Sequence, residues 1–110
     1  MSFDKVKQAT IELFNSNIEP FKEIVSKDVH CESIHKSSTG SSVKNYDEMM
    51  EMVGNAMSNW TGKHEIKCLI DTPEVVVKTV NGFDPNFTYL EIDHLKDVKI
   101  IIHFYCKVAK

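Results

Sequence analysis

The stretch Leu95-Lys96-Asp97-Val98-Lys99-Ile100-Ile101-Ile102-His103-Phe104-Tyr105-Cys106-Lys107, LKDVKIIIHFYCK, decides how the chain is read. A short polar Lys-Asp pair divides two apolar runs rich in β-branched and aromatic residues, which signals a tight turn between antiparallel strands. The second run is interrupted by a single histidine. Side chains alternate along a strand, so Ile101, His103 and Tyr105 share one face and Ile100, Ile102, Phe104 and Cys106 the other.

Working back from this hairpin, strands are expected over His64–Ile70, Val75–Val80, Phe87–Leu95 and Val98–Val108, separated by DTPE, NGFDPN and the tight turn. The first half of the chain has helical periodicity instead. Phe3, Val6, Ala9, Thr10, Leu13 and Phe14 recur at helical spacing behind Ser2, a good N-cap, and Asn15-Ser16-Asn17 stops that helix. Pro20 opens a short second helix that turns Phe21, Ile24 and Val25 inward and ends at Asp28. Val29 to Ile34 reads as a strand, and the polar loop HKSSTGSS follows. Asn45 caps a third helix with Glu48 in the capping-box position, and Tyr46, Met49, Met50, Val53, Met57 and Trp60 line its buried side. Two helices, a strand, a helix and four strands imply one α+β domain over residues 1–110, with helices covering one face of a curved sheet.

The totals exclude several function classes. All 13 basic residues are lysine and the formal net charge is -3, so no cationic face for nucleic acid is expected. No apolar run approaches the ~18 residues that cross a membrane. Cys31, Cys68 and Cys106 are an odd set behind a start, MSFDKVKQ, without the apolar core of a secretory signal, which points to reduced thiols in a cytoplasm. Phosphate loops, nucleophile elbows and CxxC pairs are absent from the sequence, and no cofactor is implied.

Three stretches, NIEPFKEIVSKDVHCES, TGSSVKNYDEMMEMV and LKDVKIIIHFYCK, together with the element order, resemble the NTF2-like superfamily and in particular its SnoaL-like and ketosteroid-isomerase-like branch. Val98 stands where that family's last turn usually has glycine. The resemblance implies a cone, with three N-terminal helices packed on a strongly curved mixed or antiparallel sheet around an apolar cavity, and pairing into a homodimer through the outer sheet face. It also implies binding of a hydrophobic small molecule, with proton-transfer chemistry of isomerase, cyclase or dehydratase type. The alternative it leaves open is a non-catalytic, dimeric protein-interaction module, since the fold alone selects no function.

Matched by position, the isomerase base falls on Ser33 and its tyrosine near Ala9, so ketosteroid-isomerase chemistry is not expected. The resemblance turns Ile101, His103 and Tyr105 toward the cavity. A histidine there exchanges protons near neutral pH, a tyrosine donates to a ligand oxygen, and a carboxylate orients the ring. Glu91 and Asp93 are the candidate carboxylates if the turn has the right length; otherwise Leu90, Ile92 and His94 share the face of His103. Cys31, Ser33, Met49, Val53, Met57, Trp60 and Ile101 are the expected ligand-binding wall. His30, Cys31, Glu32 and His35 carry metal-ligating types, but strand alternation separates Cys31 from His30 and Glu32, and no metal site is expected.

Overall fold

The structure, a computed structural model, describes residues 2–34, 43–57, 64–82 and 86–109. The chain runs α1 (Ser2–Phe14), α2 (Glu19–Ile24), β1 (Val25–Ser33), β2 (Val43–Lys44), α3 (Tyr46–Met57), β3 (Glu65–Asp71), β4 (Val75–Asn81), β5 (Phe87–Lys96) and β6 (Lys99–Ala109). The strands form one six-stranded sheet in the order β2-β1-β6-β5-β4-β3. Only β1 and β6 run parallel; the other pairs are antiparallel, as hairpin connections require.

Local chemistry explains most of the boundaries. At the start of α3 the capping box closes in both directions: Glu48 N–H donates to Asn45 Oδ1 at 2.9 Å, and Asn45 N–H donates to Glu48 Oε1 at 3.0 Å. The first turn of α1 is tied to the sheet, because Phe3 N–H donates to Asp71 Oδ1 at 3.1 Å. Pro20 sits in the first turn of α2, where its missing N–H costs nothing. That helix is shorter than its sequence pattern implies. Val25 already has extended backbone and belongs to β1, so Asp28 lies inside the strand.

The core lies between the helices and the concave side of the sheet. Val6, Ala9 and Leu13 of α1, Phe21 of α2 and Met49 and Met50 of α3 pack with Val25, Val29, Val76, Leu95 and Ile100 from four strands. Full burial of such side chains contributes roughly 1.5–3 kcal/mol each. Val76, Lys78 and Val80 alternate inward on β4, which puts one lysine among valines on the buried face.

The β5–β6 hairpin contains the feature that sets the site. Its turn has two residues, Asp97 and Val98, both with positive φ (53° and 67°), and Lys96 pairs Lys99 across it. A two-residue turn alone would set Ile92 opposite His103. Instead Leu95 pairs Ile100 while His94 pairs Ile102, so Ile101 is an extra residue, a β-bulge. Beyond the bulge Asp93 pairs His103 and Glu91 pairs Tyr105. One residue of slip moves every side chain to the other face. The expectation that Ile100 points away from the core is therefore corrected: Ile100 is fully buried in the core, and Ile101 is the bulged residue.

Candidate functional site

Four polar side chains from three adjacent strands converge on the concave face. Lys78 of β4 is directly opposite Glu91 of β5, and Asp93, two residues along β5, is opposite His103 of β6. Lys78 Nζ donates to Glu91 Oε1 and to Asp93 Oδ2, both at 2.8 Å. Asp93 Oδ1 is 2.5 Å from His103 Nδ1. An ionised carboxylate only accepts, so Nδ1 carries the proton and donates it to Asp93, which leaves Nε2 as the ring nitrogen without that partner. Lys78 and Asp93 are about as buried as any residue in the fold, at 1% and 0% exposure.

This cluster survives burial because each charge is paired. Burial opposes the charge on Asp93, but Lys78 and His103 outweigh it and hold the carboxyl far below its ordinary range. Burial likewise opposes the Lys78 ammonium, and Asp93 and Glu91 keep it protonated beyond the ordinary lysine range. For His103 burial disfavours the imidazolium, yet Asp93, by charge and by hydrogen bond, raises its pKa above the usual value, helped by Glu91 and opposed by Lys78. With His103 neutral the cluster carries one net negative charge; with His103 protonated it carries none.

The cluster forms one wall of a cavity of about 260 Å³. Glu91, His103, Tyr105, Tyr89 and the rim residue Lys107 line its sheet side, and Thr10, Leu13, Phe21, Met52, Val53 and Ala56 its helix side. Thr10 has no hydroxyl proton to spare, since it donates to Val6 O at 2.8 Å. The helix side is therefore apolar in practice. The volume lies a little under the ~300 Å³ at which ligand pockets usually begin and above the roughly 150 Å³ of an apolar cavity that admits benzene, which is room for a compact one- or two-ring molecule. The His103 and Tyr105 rings stack at 25° with centroids 5.9 Å apart. Burial raises the Tyr105 pKa, so its hydroxyl stays protonated and able to donate.

His103, Tyr105 and Glu91 line the cavity, and Asp93 stands behind His103. Val53 lines the cavity, but other expected wall residues do not. Cys31, the strand partner of His103, and Met49 are fully buried in the core beneath it. Met57 packs against that core from its edge. Ser33 pairs Tyr105 in the parallel ladder, and its buried hydroxyl lies beside the Tyr105 hydroxyl. Ile101 leaves the wall through the bulge, while Trp60, His35 and the loop over 35–42 lie outside the described residues. His30 and Glu32 meet each other at 3.5 Å on exposed ground, on the face opposite the buried Cys31. Lys78 is the residue that sequence reasoning missed. Its signal was present in VVVKTV, a lysine at the inward-alternating position of an otherwise valine-lined strand.

No protein-family model matches the chain, and no curated protein matches it in sequence. Solved structures do. A putative polyketide cyclase from Streptomyces antibioticus, IdmH, is 10% identical with a TM-score of 0.72, covering 97% of this chain and 91% of its own. An NTF2-like protein of unknown function from Cytophaga hutchinsonii is 12% identical with a TM-score of 0.69, over 98% and 90%. A putative ketosteroid isomerase from Kribbella flavida is 12% identical with a TM-score of 0.67, over 99% and 78%. Three helices on one face of a curved, mixed six-stranded sheet, matched over nearly the whole chain to these proteins, give this chain the NTF2-like fold.

Proposed function

We propose that the protein binds a compact, largely apolar carbonyl compound in the cone and moves a proton on it, as an isomerase, cyclase or dehydratase does. The observation that carries this reading is the 2.5 Å contact from Asp93 to a His103 ring that also lines an otherwise apolar cavity. A histidine whose Nδ1–H is held by a carboxylate has its Nε2 lone pair free to act as a base. In the reaction Nε2 takes a proton from the carbon next to the carbonyl, and the electron pair moves to the carbonyl oxygen. Tyr105 donates a hydrogen bond to that developing oxyanion. The imidazolium then returns the proton to another carbon, or to a departing hydroxyl. Abstraction removes the net negative charge of the buried cluster, so the protein side of the step is favoured. The names of two structural neighbours, a putative polyketide cyclase and a putative ketosteroid isomerase, agree with this class.

The test is hydrogen–deuterium exchange at the α-carbon of 2-tetralone, a two-ring ketone, followed by proton NMR in D2O. Saturable exchange that His103→Gln reduces by roughly 100-fold or more supports the reading. Exchange at the solvent rate in the native protein would remove it.

A second reading rests on the convex face. Ile92 pairs Phe104 there, His94 pairs Ile102, and Phe104 is flanked edge-on by His30 and His94, giving a half-buried, mainly apolar surface. This face suits a homodimer, whether the protein is an enzyme or a non-catalytic interaction module. Light scattering on the native chain and on Phe104→Lys tests the pairing: a dimer that the substitution dissociates supports this face, and a native monomer removes it.

A further inference from the structure

We propose that Lys78 is a positioning residue for His103: by tying Glu91 and Asp93 to one ammonium, it fixes the Asp93 oxygen that faces the ring and keeps the ring's proton exchangeable. This inference rests on the reading of His103 as the proton-transferring group and adds the device that adjusts it.

Lys78 does not line the cavity, yet it is bonded to both carboxylates that bear on His103. A buried carboxylate, a second one beside it and no ammonium would hold a proton on His103 tightly, and a ring that never releases its proton is not a base. A lysine bonded to one carboxylate alone would leave the other unpaired among apolar side chains. Lys78 avoids both outcomes because its position opposite Glu91 and diagonal to Asp93 lets one ammonium serve both. The remaining neighbours of His103 add little charge. Cys31 from β1 is a thiol whose pKa burial pushes up to about 12, Tyr105 on the same strand is a neutral phenol, and α1 and α3 present Thr10, Met52, Val53 and Ala56 to the cavity. Lys107 is exposed at the rim. Glu91, Asp93 and Lys78 therefore dominate the electrostatics of the ring.

The opposing charges predict opposite signs for two variants, which a merely structural role for Lys78 does not. The experiment is an NMR titration of the assigned His103 ring, in the full chain, for the native protein, Lys78→Met and Glu91→Gln. Lys78→Met keeps the side-chain volume and removes a positive charge, so the His103 midpoint moves up by about one pH unit or more; Glu91→Gln removes a negative charge and moves it down. The ring nitrogen chemical shifts report Nδ1 as the protonated position in the neutral form of the native protein. An unmoved or lowered midpoint in folded Lys78→Met overturns the proposal. If Lys78→Met does not fold, Glu91→Gln decides, and an unmoved or raised midpoint there overturns it. Ring titration needs no substrate, so failure of the ketone exchange assay would retire the proposed function alone, and an unresponsive His103 would retire the role of Lys78 alone.

Discussion

Asp93 and His103 are cross-strand partners because β6 carries one extra residue, Ile101, between the turn and the histidine. In a regular ladder Ile92 would stand opposite the ring. Because Leu95 and Ile100 pair in the core, His103 and Tyr105 would then face the convex side while Asp93 and Glu91, alternating with Leu95, stayed on the concave one. A single bulge thus determines whether His103 and Tyr105 reach the cavity beside the Lys78, Glu91 and Asp93 cluster, in keeping with the use of bulges to re-aim side chains.

The pair is expected to dominate local stability. Asp93→Asn leaves a buried ammonium with one carboxylate and an imidazole without an anion, so unfolding free energy should fall by about 3 kcal/mol, read by urea denaturation. A loss below about 0.5 kcal/mol would mean that the cluster is hydrated and the residues are not coupled as the distances imply.

The pH dependence follows from the direction of each shift. The His103 pKa is raised in the folded state, burial being outweighed by Asp93, so its contribution is complete below about pH 6.5 and disappears as pH rises through the raised value. Asp93 is lowered by Lys78 and His103 against burial, so its contribution is present above about pH 4 and is lost only as pH falls well below that. Thermal unfolding scans should show Tm decreasing from pH 6 to pH 9 in the native protein, with a shallower decrease in His103→Gln. Equal slopes would contradict the assignment.

Val98 sits at φ 67° in a two-residue turn whose other residue, Asp97, is also at positive φ. Such turns favour Asp-Gly, and a β-branched side chain there is strained by roughly 1–2 kcal/mol. Val98→Gly should therefore stabilise the protein by about 1 kcal/mol, the relieved strain exceeding the added chain entropy of glycine. An increase of a few degrees in Tm checks this, and a decrease would show that the half-exposed valine is held by packing.

The thiols should differ in reactivity. Cys31 is fully buried with its pKa pushed up to about 12, while Cys68 and Cys106 are partly exposed. Mass spectrometry after brief iodoacetamide treatment at pH 8 should find Cys31 unmodified in the folded protein and modified after unfolding in urea.

How much of this was legible in the sequence varied with the kind of signal. The capping box at Asn45 and Glu48, the periodicity of α1 and the apolar runs of the last four strands each state their structure locally, and the element order followed. The bulge did not show, because Ile100-Ile101-Ile102 is the same side chain three times and a slip within it leaves no mark on the pattern. Consequently the choice between Glu91 with Asp93 and Leu90 with Ile92 stayed open until the register was known. The start of β1 at Val25 was obscured by apolar residues that satisfy a helix face and a strand face alike. Lys78 was hidden by the ordinary assumption that lysine on a strand faces water; only two acids opposite it make the buried position tenable.

The most direct test of the central claim, that His103 faces the ligand, is a measurement of nuclear Overhauser effects between the His103 ring protons and 2-tetralone bound to the protein. The account predicts contacts from the ketone to the His103 ring and to the methyl groups of Val53 and Met52, all lost in Val53→Trp, which fills the cavity. Contacts confined to convex-face residues such as Phe104 and Ile102, with none to His103, would contradict it.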